Sequence, residues 1–236
     1  MKSATLERLV QIRAENRPVA LVTDLSFGLQ TLVFPETVEG DAGLRDEVLA
    51  EAREAMAQDR SGPLSQGDGR LFVTVYNPPA KLILIGAVHI AQALAPMAKL
   101  VGYAVTVIDP RGAFAEPERF DDVKLIREWP DEAMASQPLD SRTAVVTLTH
   151  DPKLDDPALI AALRAPVFYI GALGSRKTHA SRLDRLRAEG FDDNALARIH
   201  GPLGFKLGGR SPAEIAISAL AQITAARYGA PTQLTP

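Results

Sequence analysis

A chain of 236 residues, 46% hydrophobic and 23% charged, has an ordinary globular composition and the length of one or two domains. The net charge of −3, from 26 basic and 29 acidic residues with no basic block, gives no nucleic-acid partner. There is no cysteine, so disulfides, thiolate metal ligands and thiol nucleophiles are excluded, which fits a reducing compartment.

In chain order, Met1-Lys2-Ser3-Ala4-Thr5-Leu6-Glu7-Arg8 has no apolar core followed by a cleavage site and is not read as a signal peptide. Leu6, Leu9, Val10 and Arg13 follow helical spacing, with Ser3 as N-cap. Val19-Ala20-Leu21-Val22-Thr23 and residues 29–34 are short apolar runs around Ser26-Phe27-Gly28, which predicts a hairpin. Residues 44–56 read as a helix with Leu44, Val48, Leu49, Ala52 and Met56 on one face. Ser61-Gly62-Pro63 and Gly67-Asp68-Gly69 mark an exposed loop, and residues 71–76 alternate as a strand. Asn77-Pro78-Pro79 then supplies a boundary, so residues 1–76 form a small α+β domain.

The remainder alternates strand and helix. Leu82-Ile83-Leu84-Ile85 is a fully apolar strand, as expected where helices cover both faces. The run 82–95 contains His89 and Gln92 and is too short to span a bilayer, so no membrane span is expected and the cytoplasm is the default address. A helix over 90–101 leads to a strand over 104–108 that ends in Asp109. Further strands fall at Val123-Lys124-Leu125-Ile126, 144–148 and 167–170, with helices over 157–163, 177–189 and 212–228. This spacing predicts an α/β, Rossmann-type parallel sheet with helices on both faces over residues 80–228.

The first loop of that domain, Gly86-Ala87-Val88-His89, is a modified dinucleotide fingerprint. Gly86 supplies the tight turn and Ala91 the small packing residue, but Val88 stands where a second glycine lets backbone approach a pyrophosphate. Asp109, 23 residues after Gly86, has the spacing of a ribose-binding carboxylate. A bare strand-to-helix turn would leave the same sequence. His89 falls in the first helical turn, where free amides favour anions, and either meets a ligand phosphate or caps the turn.

Three more segments leave strand ends toward the same edge. In Asp109-Pro110-Arg111, Arg111 either grips a phosphate or carboxylate or pairs with Glu116 or Glu118. In Thr149-His150-Asp151, His150 and Asp151 are an acid–base pair or simply a local turn. Gly171-Ala172-Leu173-Gly174-Ser175-Arg176-Lys177 combines flexible backbone, a hydroxyl and two cations in an anion nest, unless Ser175 serves only as a cap. Finally, residues 200–214 hold Gly201, Gly204, Gly208 and Gly209 before Arg210 and a capping box of Ser211, Pro212 and Glu214. The glycines favour a ligand or partner loop, and Glu214 is a cap residue rather than a catalyst.

Five ordered blocks together resemble the XdhC/CoxI family of accessory proteins for molybdenum hydroxylases such as xanthine dehydrogenase. They are Leu84-Ile85-Gly86-Ala87-Val88-His89-Ile90-Ala91; Val107-Ile108-Asp109-Pro110-Arg111; Leu148-Thr149-His150-Asp151-Pro152; Tyr169-Ile170 running into the Gly171 nest; and His200-Gly201-Pro202-Leu203-Gly204 through Gly208-Gly209-Arg210-Ser211-Pro212-Ala213-Glu214-Ile215-Ala216. The resemblance covers about residues 82–226 and implies a non-enzymatic maturation chaperone. Such a protein binds molybdenum cofactor, as molybdopterin or its dinucleotide form, protects it during sulfuration and delivers it to an apo molybdenum hydroxylase. A cysteine desulfurase is a further implied partner, and a homodimer the implied assembly. On this reading the cofactor lies against Gly86, Val88, His89, Asp109, Arg111, His150, Gly171, Gly174, Ser175, Arg176, Lys177, Gly208 and Arg210.

The chain departs from the family at Val88, where a glycine is usual. It also lacks the glycine-serine-proline-arginine-like and glycine-glycine-cysteine segments usual in the N-terminal domain, so no thiol is available to hold molybdenum or carry sulfur. Two readings stand beside the chaperone. One is an NAD(P)-binding oxidoreductase, suggested by the fold and Asp109 but opposed by Val88 and by the lack of a tyrosine–lysine hydride-transfer pair. The other is a regulatory module that dimerises through its Rossmann domain.

Overall fold

The computed structural model describes residues 3–40, 43–112, 115 and 117–233. The chain divides into two compact units, Met1–Pro78 and Pro79–Pro236.

The first unit is α1 (Ser3–Ala14), β1 (Val19–Asp24), β2 (Gln30–Val33), β3 (Val38–Gly40), α2 (Asp46–Ala57), β4 (Gly62–Pro63) and β5 (Leu71–Tyr76). Its antiparallel sheet has the order β3-β2-β1-β5-β4. The expected hairpin forms because Asp24 Oδ1 accepts the amides of Ser26 and Phe27, which closes the turn between β1 and β2. Alternation along β1 decides the layers. Ala20 and Val22 pack with Val48 and Ala52 of α2, while Val19 and Leu21 pack with Leu9 and Ile12 of α1. The apolar face of α1 is therefore not the expected one, since Leu6 and Val10 are more than half exposed. Nor is Ser3 an N-cap: it is the first helical residue, and its hydroxyl donates to Glu7.

The second unit runs β6 (Lys81–Ile85), α3 (His89–Leu100), β7 (Ala104–Ile108), β8 (Lys124–Ile126), α4 (Pro130–Ala135), β9 (Thr143–Thr147), α5 (Pro152–Arg164), β10 (Tyr169–Ala172), α6 (Arg176–Ala188), α7 (Asp193–Leu196), β11 (Ile199–His200) and α8 (Pro212–Arg227). Its six strands are parallel, in the order β11-β10-β9-β6-β7-β8. That is the doubly wound Rossmann arrangement, with helices on both faces of the sheet. Leu82 and Leu84 of β6 face a core shared with α3 and α8, and Ile83 and Ile85 face a second core shared with α4 and α5.

The helix expected to begin at Pro157 begins at Pro152, where the Asp151 carboxylate accepts the amide of Lys153 and caps the first turn. Among the described residues, no helix is long and apolar enough to cross a membrane.

Candidate functional site

The strand order fixes where a ligand can enter. From β6 the chain winds outward through β7 and β8, and from β9 it winds the other way through β10 and β11. Side chains at the carboxyl ends of β6 and β9 therefore face a crevice at the topological switch point. The two loops meet there. Gly86 has φ +108, and a Cβ on it would lie 2.5 Å from the Thr149 methyl, so this turn accepts only glycine. Val88 takes an extended conformation (φ −85) at the N-cap of α3 and packs its half-buried side chain against the core under α3 and α8. His89 follows as the first residue of α3 and is exposed.

Asp109 corrects an expectation. A ribose-binding carboxylate must face the crevice, whereas Asp109 is completely buried beneath the first loop. Its Oδ2 accepts the Ala87 amide at 2.8 Å, and both oxygens take the Arg111 fork, Nε at 2.9 Å and Nη2 at 2.8 Å. The Arg111 amide adds a fourth bond, to Oδ1. Burial pushes the Asp109 carboxyl up, but the bonds from Arg111 and Ala87 outweigh it and hold the group below its ordinary value. Arg111 is correspondingly raised by its bonds to Asp109. Its fork thus grips one of the chain's own carboxylates, a partner that sequence reasoning did not consider. Glu116, one of the two partners considered for it, lies outside the described residues.

Next along the edge is the pair of loops after β9 and β10. His150 is exposed and adopts a left-handed conformation, φ +64, which is uncommon outside glycine. Asp151 caps α5, so the sequence Thr149-His150-Asp151 is a local turn rather than an acid–base pair. Gly171 belongs to β10 and not to a flexible nest. A Cβ there would lie 2.6 Å from Leu203 and 2.7 Å from the Tyr169 ring, so it is a packing glycine. The loop proper begins at Leu173. Gly174 has φ +148, and a Cβ on it would lie 3.7 Å from the His150 ring, which puts the two loops side by side. Ser175 caps α6 by accepting the Thr178 amide, and Arg176 and Lys177 are exposed with no ion pair to any described residue.

Beneath these loops lies a buried ion pair that sequence reasoning missed. Asp155 of α5 accepts the Thr149 hydroxyl at 2.7 Å and the amides of Thr149 and His150 at 3.4 and 3.2 Å. Arg182 of α6 lies 3.6 Å from Asp155 and donates Nη2 to the Leu173 carbonyl at 2.9 Å. Burial raises the Asp155 carboxyl and lowers the Arg182 guanidinium, each against the pull of its partner.

The glycine-rich loop after β11 divides in two. Its first part is packed: His200 stacks on Tyr169 with ring centroids 4.8 Å apart, and Tyr169 donates to Gln222 at 2.6 Å. Gln222 also accepts the Gly204 amide. Burial lowers the pKa of His200. The second part, with Gly208 and Arg210, leads into α8, whose capping box forms as expected: Ser211 accepts the Glu214 amide, and Glu214 accepts the amides of Arg210 and Ser211. Arg227 in the last turn of α8 lies over the Tyr103 ring, just before β7 begins. α8 therefore starts at the carboxyl edge of the sheet, and Gly208 and Arg210 share that edge with His89, His150 and Arg176.

These features define a Rossmann-type domain with its crevice in the usual position and its pyrophosphate and ribose contacts altered. Residues 82–223 match the family model of the XdhC Rossmann domain, and the chain belongs to that family. It is 32% identical over 178 residues to the protein YqeB of Escherichia coli (strain K12), covering 75% of this chain and 32% of that one. The molybdenum cofactor insertion chaperone PaoD of the same strain is 32% identical over 66% of this chain and 43% of its own length. A protein of Bacillus subtilis (strain 168) described as a probable xanthine dehydrogenase component is 30% identical over 66% and 46%. The chain thus spans less than half the length of each of these relatives. The crystal structure of a xanthine dehydrogenase from Bacillus halodurans shares the fold, with a TM-score of 0.73 over 94% of this chain and 66% of that one at 23% identity.

Proposed function

We propose that this chain is a maturation factor for molybdenum hydroxylases, which holds molybdenum cofactor at the carboxyl edge of its Rossmann sheet and passes it to an apoenzyme in the cytoplasm. One observation carries the reading. Along one sheet edge the carboxylate spaced for a ribose is turned inward and bonded to Arg111, while Arg176 and Lys177 stand exposed and unpaired at the start of α6. An acidic group on the cofactor suits that helix start, where free amides and two cations coincide. His89, His150 and Arg210 lie along the same edge, with the turns at Gly86, Gly174 and Gly208 shaping the backbone between them. The cofactor itself supplies the molybdenum chemistry, and these residues hold its anionic end. The relative described as a molybdenum cofactor insertion chaperone supports the role. Since the chain has no cysteine, any sulfur transfer requires a partner such as a cysteine desulfurase.

The test is native mass spectrometry of the protein from a host with an intact cofactor pathway, followed by addition to an apo-hydroxylase. A bound pterin mass, in a monomer or a homodimer, and increased recovery of hydroxylase activity are expected. With cofactor in excess, the absence of both signals would end the reading.

A further inference from the structure

We propose that Arg182 and Asp155 are positioning residues of this crevice, which hold the His150 loop and the Gly174 loop at the spacing the ligand meets. The proposal rests on the reading that the crevice takes an anionic ligand. Three observations lead to it. First, the pair sits between two helices that start at the crevice, with Asp155 on α5 holding the loop after β9 and Arg182 on α6 holding the loop after β10. Second, the Asp155 carboxylate accepts the amide of His150, whose left-handed backbone persists only where surrounding contacts over-determine it. Third, the pairing is poor by the standards of a structural salt bridge. The guanidinium is 1% exposed, approaches Asp155 only to 3.6 Å, and leaves Nε and Nη1 without a partner.

A buried ion pair made so loosely contributes little to folding that an uncharged pair of similar size would not. Its specific contribution is geometric. The guanidinium reaches the Leu173 carbonyl on one side and the Asp155 carboxylate on the other, and so ties the two loops together where Gly174 faces His150.

The test separates this from a role in stability. The full chain carrying Arg182→Met with Asp155→Asn keeps the packing volume and removes both charges together. Inorganic pyrophosphate is the anionic probe, followed by calorimetry, alongside thermal unfolding and the amide resonances of Thr149, His150, Leu173 and Gly174 without ligand. The expected result is a melting temperature close to that of the unmodified chain, displaced or broadened resonances at those four amides, and at least tenfold weaker pyrophosphate binding. Unmoved amides, or unchanged affinity in a folded double variant, would overturn the proposal. If the unmodified chain binds neither pyrophosphate nor cofactor, the cofactor reading fails by itself, and the amide resonances still decide the positioning role. Should the double variant not fold, Arg182→Lys, which keeps the charge but loses the fork, is measured in the same way. It is expected to show displaced amides at Leu173 and Gly174, and wild-type resonances there would sink the idea.

Discussion

A carboxylate beneath a phosphate loop changes what that loop can do. Asp109 occupies the Ala87 amide and the Arg111 fork, and Asp109→Asn leaves Arg111 facing an amide that offers one acceptor instead of two. Because Arg111 keeps part of its side chain in solvent, losing this charge-assisted bond costs about 1–3 kcal/mol, readable from denaturant midpoints. Its pH dependence has a definite sign. The folded pKa lies below the unfolded value of about 3.9, so the stabilisation is present above that value and lost as pH falls through the folded pKa. Asp109→Asn should flatten this acid limb.

His200 acts at higher pH. Burial depresses it below 6.5, so its contribution is complete above that pH and declines below it as the unfolded chain binds protons first. His200→Phe preserves the stack on Tyr169 and should weaken the stability loss as pH falls below about 6.5; His179, lowered in the same sense by burial, contributes to what remains. A third residue decides between functions. Val88→Gly restores the usual loop residue but leaves Asp109 turned inward, so calorimetry should detect no nicotinamide dinucleotide binding. Tight binding would revive the oxidoreductase reading.

At the scale of elements, the capping box of Ser211 and Glu214 was legible because capping depends on residues three apart, and its contacts formed as expected. Ser175 took the capping alternative to a nest, and Ser3, expected as a cap, lies inside α1. Ser211→Ala should cost about 1 kcal/mol in a chemical denaturation series. α1 misled because Leu6, Leu9, Val10 and Ile12 lie on two overlapping helical stripes, and only the sheet decides which is buried. β3, β4 and β11 are two or three residues long and exist as strands only through their pairing, which no local pattern encodes. Arg182 could not be singled out for a related reason. α6 carries Arg176, Arg182, Arg185 and Arg187, and the charge pattern alone does not distinguish the buried arginine from the exposed ones.

On the scale of the whole molecule, the doubly wound sheet could be read because its central strands are short with continuous apolar runs, over residues 82–85 and 144–146, a pattern that arises where both faces are covered. The altered meaning of Asp109 could not, because spacing gives the strand end but not the direction in which a side chain turns there. The two units have separate cores, and residues 79–236 expressed alone are expected to unfold in one cooperative transition with near-native circular dichroism. A fragment that binds hydrophobic dyes and melts without a transition would show that the second core depends on the first.

The strand order also has a kinetic consequence. β6 joins β7, and β9 joins β10, across single helical crossovers, but β6 meets β9 only after roughly sixty residues of intervening chain. Loop closure of that length is slow compared with the local pairings, so the two halves should form first and dock along this seam last. The seam is also the floor of the crevice. A nascent chain would therefore complete the crevice only at the final step of folding, and pulse-labelling hydrogen exchange should find the amides linking β6 to β9 protected after those linking β6 to β7.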